Sequence, residues 1–293
     1  MFEGFDKRRL ALSTGVNVRL REGGDGPAVL LLHGYPQTSA CWHAVAPALV
    51  AAGYRVIAPD LRGYGVSDKP LSAADHSTYS KRAMAADQIA LMDALGIDSF
   101  AVIGHDRGAR VAHRLARDHG ARITRIAVLD IAPTAAMYDA TNREFATGYY
   151  HWFFLIQPAP LPERLIGADP AFYLRSKLGA WGKSGMDVYA PEALAEYEAC
   201  FADPACIAAT CEDYRASAGI DLEHDAEETA KLTMPLLALW GARGLVGRLY
   251  DVLAEWRAVA DDVRGHPLDT GHFLPEEAPE ATAAALLDFL RVS

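Results

Sequence analysis

Short apolar runs alternate with longer helix-periodic segments through the first third of this chain, and that alternation leaves few folds open. The clearest run, Pro27-Ala-Val-Leu-Leu-Leu-His33, ends at Gly34-Tyr-Pro36 and reads as a strand buried on both faces. Helix-like 41–52, strand-like 54–58 and helix-like 78–95 follow, then strand 99–103, helix 107–118 and strand 123–129. Continuous apolar strand cores separated by helices predict a parallel sheet covered by helices on both faces. Right-handed crossovers place the functional loops at the carboxyl ends of the strands. His33-Gly34, Asp60, Asp106 and Asp130 then converge on one edge.

Ahead of this pattern, 9–13 and 17–21 flank Thr14-Gly-Val16 and predict an opening hairpin. From about 131 to 231 the alternation stops. That segment is helical in flavour and rich in Tyr, Trp and Phe, and strand signals resume only at 234–240 and 262–264, before a last helix at 279–290. The division predicted is a core of 1–135 with 229–293 and an inserted helical unit of 136–228 whose aromatics face the loop edge. A length of 293 residues suits one large core with an insertion.

The formal charge of −10 argues against nucleic acid or an anionic membrane as a partner, and it leaves any anion to be bound by local residues. The N-terminal Met1-Phe-Glu-Gly-Phe-Asp-Lys-Arg-Arg9 leads into no apolar h-region, and no apolar run is long enough to cross a bilayer. Cys41, Cys200, Cys206 and Cys211 lack paired spacing, so a cytoplasmic protein with free thiols and no metal site is expected.

Behind strand 99–103 comes Gly104-His-Asp-Arg-Gly-Ala-Arg110. Small residues two before and two after Asp106 are what a sharp strand–turn–helix elbow needs, with aspartate where serine is commoner. A turn in which Asp106 merely caps the helix is the plain alternative. Three features count against it. His272, in Thr270-Gly-His-Phe273, follows the last strand and supplies a general base in the order nucleophile, acid, histidine. Asp130 ends strand 123–129 and fits the orienting acid, whereas Gly241-Ala-Arg-Gly244 offers none. The backbone N–H groups of Tyr35 and Arg107 are placed to form an oxyanion hole.

With these elements in order, the chain resembles the aspartate-nucleophile α/β-hydrolases, and most closely the fluoroacetate (haloacetate) dehalogenases. The resemblance spans nearly the whole chain: His33-Gly-Tyr-Pro-Gln-Thr38, Pro59-Asp-Leu-Arg-Gly-Tyr-Gly-Val-Ser-Asp68, Gly104–Arg110, His151-Trp152, Trp240-Gly241 and Gly271-His-Phe-Leu-Pro-Glu-Glu-Ala-Pro279. It implies an α/β-hydrolase fold, a mostly parallel eight-stranded sheet flanked by helices with an inserted helical cap. It also implies hydrolytic dehalogenation of a 2-halo carboxylic acid, such as fluoroacetate to glycolate and fluoride. A homodimer is implied by the resemblance alone.

The arginines carry a physical argument of their own. A carboxylate attacking beside a substrate carboxylate meets a repulsion of roughly 4 kcal/mol at about 4 Å and an effective dielectric of 20. Arg107 and Arg110, three apart on the helix, share a face and can hold that substrate carboxylate. A cation in the first turn is opposed by the helix dipole, which marks Arg107 as unusual for a merely structural residue. His151, Trp152 and Tyr214 offer an imidazole N–H, an indole N–H and a phenol O–H, and the resemblance assigns such positions to halide. Trp181 either lines the pocket or packs within the insertion. In the cycle implied, Asp106 displaces halide to leave an ester, and His272, oriented by Asp130, activates the water that hydrolyses it; no metal or cofactor is needed. An epoxide hydrolase with the same Asp–His–Asp groups and two cap tyrosines, Tyr149 or Tyr150 with Tyr214, is the alternative.

Overall fold

The computed structural model describes residues 1–227 and 229–291. Eight strands form one sheet: β1 (Asp6–Ala11), β2 (Asn17–Gly23), β3 (Ala28–Leu32), β4 (Arg55–Pro59), β5 (Phe100–His105), β6 (Ile123–Leu129), β7 (Leu236–Gly241) and β8 (Val263–Leu268). Their order is β1-β2-β4-β3-β5-β6-β7-β8. Only β1–β2 and β2–β4 pair antiparallel, and every other neighbouring pair is parallel. The apolar β3 and β5 lie side by side at the centre and are almost wholly buried. Helices α1 (Ala46–Ala51), α2 (Lys81–Ala94) and α3 (Arg107–Asp118) connect the early strands.

Two predicted helices are shortened. The segment 41–52 splits into a 3-10 turn, Ser39–Trp42, and α1, because Pro47 lacks an N–H and fits only the first turn of a helix. The segment 78–95 opens instead with a 3-10 turn, and Ser80 then caps α2 by accepting from the Ala83 N–H at 3.1 Å.

Between β6 and β7 lie α4 (Thr134–Asp139), α5 (Arg143–Gly148), α6 (His151–Leu155), α7 (Leu161–Gly167), α8 (Pro170–Trp181), α9 (Pro191–Phe201), α10 (Pro204–Ser217) and α11 (Ile220–Glu227). Asp169 and Asp203 cap α8 and α10, each followed by proline at the first helical position. No strand interrupts them among the described residues. The predicted limit of the insertion at 228 lies outside those residues, as do 292 and 293 of the core range. After β7 come α12 (Val246–Leu249), α13 (Val252–Val259), α14 (Leu274–Glu277) and α15 (Pro279–Arg291). No helix is long and apolar enough to cross a membrane among the described residues.

Partly buried ion pairs fasten the insertion to the sheet. Glu196 on α9 accepts from Arg19 at 2.7 Å, Arg21 at 2.5 Å and Thr38 at 2.5 Å. Burial works against its charge, but the two guanidiniums hold its carboxyl down at about 2.

The turn from β5 into α3 is a tight passage in the core. A Cβ on Gly108 would lie 2.4 Å from the carbonyl oxygens of Leu32 and His33, and one on Gly104 would lie 2.5 Å from the backbone of Ala109. Gly108→Ala is therefore expected to destabilise the protein by at least about 2 kcal/mol in urea unfolding, because backbone cannot yield as a side chain can. Gly167→Ala, at a helical site with nothing within 4 Å, is expected to leave the unfolding midpoint unchanged or slightly raised.

Candidate active site

Asp106 sits at the N-cap of α3 with φ 47° and ψ −115°, a conformation that costs a non-glycine residue about 1–3 kcal/mol. Its side chain makes no capping hydrogen bond. Instead Oδ1 accepts from the Tyr35 N–H at 2.9 Å, and Oδ2 lies 3.7 Å from Nε2 of His272. The elbow thus turns the carboxylate away from its own helix and toward the loop after β3. Of the two amides expected to converge there, only that of Tyr35 bonds the carboxylate among the described residues.

His272 Nδ1 donates to Asp130 Oδ2 at 2.6 Å, and Asp130 Oδ1 accepts from the Gly241 N–H at 2.9 Å. Asp130 also has positive φ, 53°, so the chain leaving β6 is bent sharply at this acid. Burial pulls the His272 imidazole down, and the Asp130 carboxylate more than offsets this, so its pKa lies above the ordinary value. Burial likewise pushes Asp106 up, but His272, Arg107 and Arg110 together hold it below the usual carboxylate value. His105, which nothing in the sequence singles out, donates from Nε2 to the His272 carbonyl at 2.8 Å. Burial lowers its pKa to about 3, so it is a neutral tether between the elbow and the histidine loop.

The two arginines differ. Arg107 donates to Asp213 Oδ2 at 3.1 Å, to Oδ1 at 2.6 Å and to the Ser217 hydroxyl at 2.5 Å, leaving Nη1 buried without a partner among the described residues. Asp213 is shared with the Lys81 ammonium and the Tyr64 hydroxyl, the latter at 2.6 Å. Burial opposes the charge on Asp213, yet Arg107 and Lys81 hold its carboxyl far below the usual range. Neither Asp213 nor Lys81 was expected at this site. Arg110 is also buried, but it reaches only neutral acceptors, Thr134 Oγ1 at 2.8 Å and the Ala132 carbonyl at 3.3 Å, and the Met137 sulfur at 3.2 Å. Among the described residues no carboxylate stands within ion-pair distance of it. Burial and then the neighbouring Arg107 pull its pKa downward, the signature of a cation short of negative charge.

Aromatic groups from the insertion close over these residues. The Arg107 guanidinium lies 4.1 Å from the Tyr214 ring centre, and that of Arg110 lies 4.7 Å from Trp152. His151 packs at 5.4 Å from Tyr214 and 4.3 Å from Trp181, whose ring is 5.9 Å from His272. The Tyr149 and Tyr214 hydroxyls and His151 Nδ1 are buried without hydrogen-bond partners among the described residues. Burial, reinforced by Lys177, His272 and the arginines, drives His151 well below its ordinary pKa, so its ring is neutral with one N–H. Asp60, expected at the same edge, is instead occupied with Arg19 at 2.6 Å and Ser39 at 2.7 Å.

Residues 27–279 match the family model described as the alpha/beta hydrolase fold. The chain belongs to the α/β-hydrolase family. This hydrolase is similar over 99% of its length to the fluoroacetate dehalogenase of Burkholderia sp, with 45% identity and 95% of that protein covered. It is 36% identical to the soluble epoxide hydrolase of Corynebacterium sp. (strain C12), with 95% of both chains covered. Among solved structures, one from Nostoc sp PCC 7120, provisionally described as an alpha/beta hydrolase, superposes with TM-score 0.98 and 55% identity over the whole of both chains.

Two outcomes follow from the geometry of this α/β-hydrolase. Asp213→Asn leaves Arg107 and Lys81 short of a buried counter-charge and is expected to lower stability by about 3–5 kcal/mol in urea unfolding. Asp130→Asn removes the charge that raises His272, so the imidazole midpoint followed by NMR should fall by about one pH unit or more.

Proposed function

We propose that this hydrolase replaces the halogen of a 2-halo carboxylic acid, fluoroacetate or chloroacetate, by hydroxyl. The observation that carries the reading is Arg110: a buried guanidinium with no acidic partner among the described residues, one helical turn beyond Asp106. It stands where a substrate carboxylate would need an answer to the charge of Asp106. The unpartnered Nη1 of Arg107 adds a second donor. The similarity to a fluoroacetate dehalogenase supports the same substrate class.

In the first step Asp106 Oδ2 attacks the carbon bearing the halogen, the carbon–halogen bond breaks with its electron pair, and halide leaves. Oδ1 stays on the Tyr35 amide, so the free oxygen is the one that attacks. His151, Trp152 and Tyr214 supply N–H and O–H donors for the departing anion. The product is a carboxymethyl ester of Asp106. In the second step His272 Nε2 takes a proton from water, and the hydroxide adds to the ester carbonyl carbon. Negative charge then develops on Oδ1, against the Tyr35 N–H, with the Arg107 amide as the other candidate donor. Collapse breaks the bond to the glycolate oxygen, which takes back the proton held by His272 Nε2, and Asp106, released as the acid, gives its proton to solvent and is restored. The 3.7 Å between Nε2 and Oδ2 is too long for a direct hydrogen bond, consistent with a histidine that acts on water. Trp181, packed between His151 and His272, would limit substrate size.

The second reading is epoxide hydrolysis, favoured by the unpartnered Tyr149 and Tyr214 hydroxyls, which could together polarise an epoxide oxygen. It gives the buried charge of Arg110 no task.

Incubation with fluoroacetate and chloroacetate is expected to release halide and glycolate, measured by ion-selective electrode and chromatography. Arg110→Gln should lower kcat/KM by about 10²- to 10³-fold, the cost of unpairing a buried charge. In His272→Gln the carboxymethyl ester should accumulate and appear on the Asp106 peptide by mass spectrometry. Turnover of styrene oxide with no halide from any haloacetate would reverse the choice between the two readings.

A further inference from the structure

With a formal charge of −10, the protein as a whole repels a small anion. One cleft runs against that field. It has a volume of about 300 Å³, and Lys177, Lys183, Arg243 and Arg248 line it with no acidic side chain among the lining residues. Three of these cations are already engaged: Arg243 pairs with Asp269 at 3.0 Å, Arg248 with Glu144 at 2.7 Å, and Lys183 donates to the Ala180 carbonyl at 2.8 Å.

Lys177 is different. It is only 3% exposed, and its ammonium lies 3.7, 5.0 and 5.4 Å from the ring centres of Tyr150, Tyr173 and Trp181. Its one hydrogen bond among the described residues goes to the Tyr150 hydroxyl, and no carboxylate lies within ion-pair distance. Burial alone pulls its pKa down to about 8. A lysine held in an aromatic cage without an acid is stabilised by any anion that reaches it.

The cleft also adjoins the active site. Tyr149 and Trp181 line it, and the same rings pack against His272 at 6.2 and 5.9 Å and against His151 at 5.3 and 4.3 Å. These two rings form a wall shared by the cleft and the catalytic groups. We propose that the cleft is an antechamber for the small carboxylate, in which Lys177 holds the anion before it passes Trp181 to Arg110. This rests on the proposed haloacetate reaction. It assigns Lys177 a place on the path of the substrate and none in the chemistry.

A site that only conveys the anion speeds arrival and departure together and leaves final affinity nearly unchanged. That pattern separates it from a structural or catalytic role. The probe is chloroacetate binding to the Asp106→Asn protein, followed by stopped-flow tryptophan fluorescence. Adding Lys177→Met should lower the association and dissociation rates together by about three- to tenfold at about 20 mM ionic strength. The Kd should stay within about twofold, the deficit should shrink at about 0.5 M salt, and Lys177→Arg should restore most of the rate. An unchanged association rate, or a weakened Kd with the association rate intact, overturns the proposal. If the unaltered enzyme releases halide from no haloacetate, the proposed function fails by itself. The antechamber is then decided by bromide-soaked crystals of the unaltered protein: an anomalous peak beside Lys177 Nζ supports it, and none overturns it.

Discussion

The backbone at Asp106 is the constraint around which the rest of the site is arranged. Holding a non-glycine residue at φ 47° and ψ −115° costs energy, and the surrounding core enforces it. The elbow is locked because Gly104 and Gly108 let β3, β5 and α3 approach to distances that no Cβ would permit. The local strain is therefore balanced by packing of the central sheet. In return the carboxylate faces the Tyr35 amide and the His272 ring with little freedom to turn back onto α3.

Charge is the second organising influence. Arg107 and Lys81 face Asp213, and Asp221 lies 3.5 Å from Lys81, so two buried cations meet two buried anions. That cluster is balanced without a ligand. Arg110 stands outside it. The same helix turn thus carries one arginine that joins the insertion to the core and another that retains an unanswered charge.

Much of this was legible in the sequence, for identifiable reasons. Strands such as β3 and β5 are buried on both faces, so their apolar runs are unbroken and bounded by turn residues. The limits of α3 and β6 could be read from Asp106 and Asp130, because each acid marks a sharp change of direction. Local pattern failed where proline acts within a helix-like stretch, as at Pro47, and where meaning comes only from distant partners. Asp213 is an ordinary acid on α10 until the fold sets Arg107 and Lys81 against it. His105 occupies a variable position of the elbow motif and gains its task from a loop 167 residues away.

The hydrogen bond from Gly241 to Asp130 has a consequence for how such a site can change over generations. The loop after β7 lies against the acid that ends β6, with an amide where an alternative acid would stand. Gly244 is close as well: a Cβ there would be 3.5 Å from Asp130 Oδ1. An acid added to this loop would bury two like charges against one imidazole, and one of them would have to take up a proton. The acid that holds His272 can therefore migrate between these strands only by exchange, one being lost as the other is gained. The imidazole of His272 need not move.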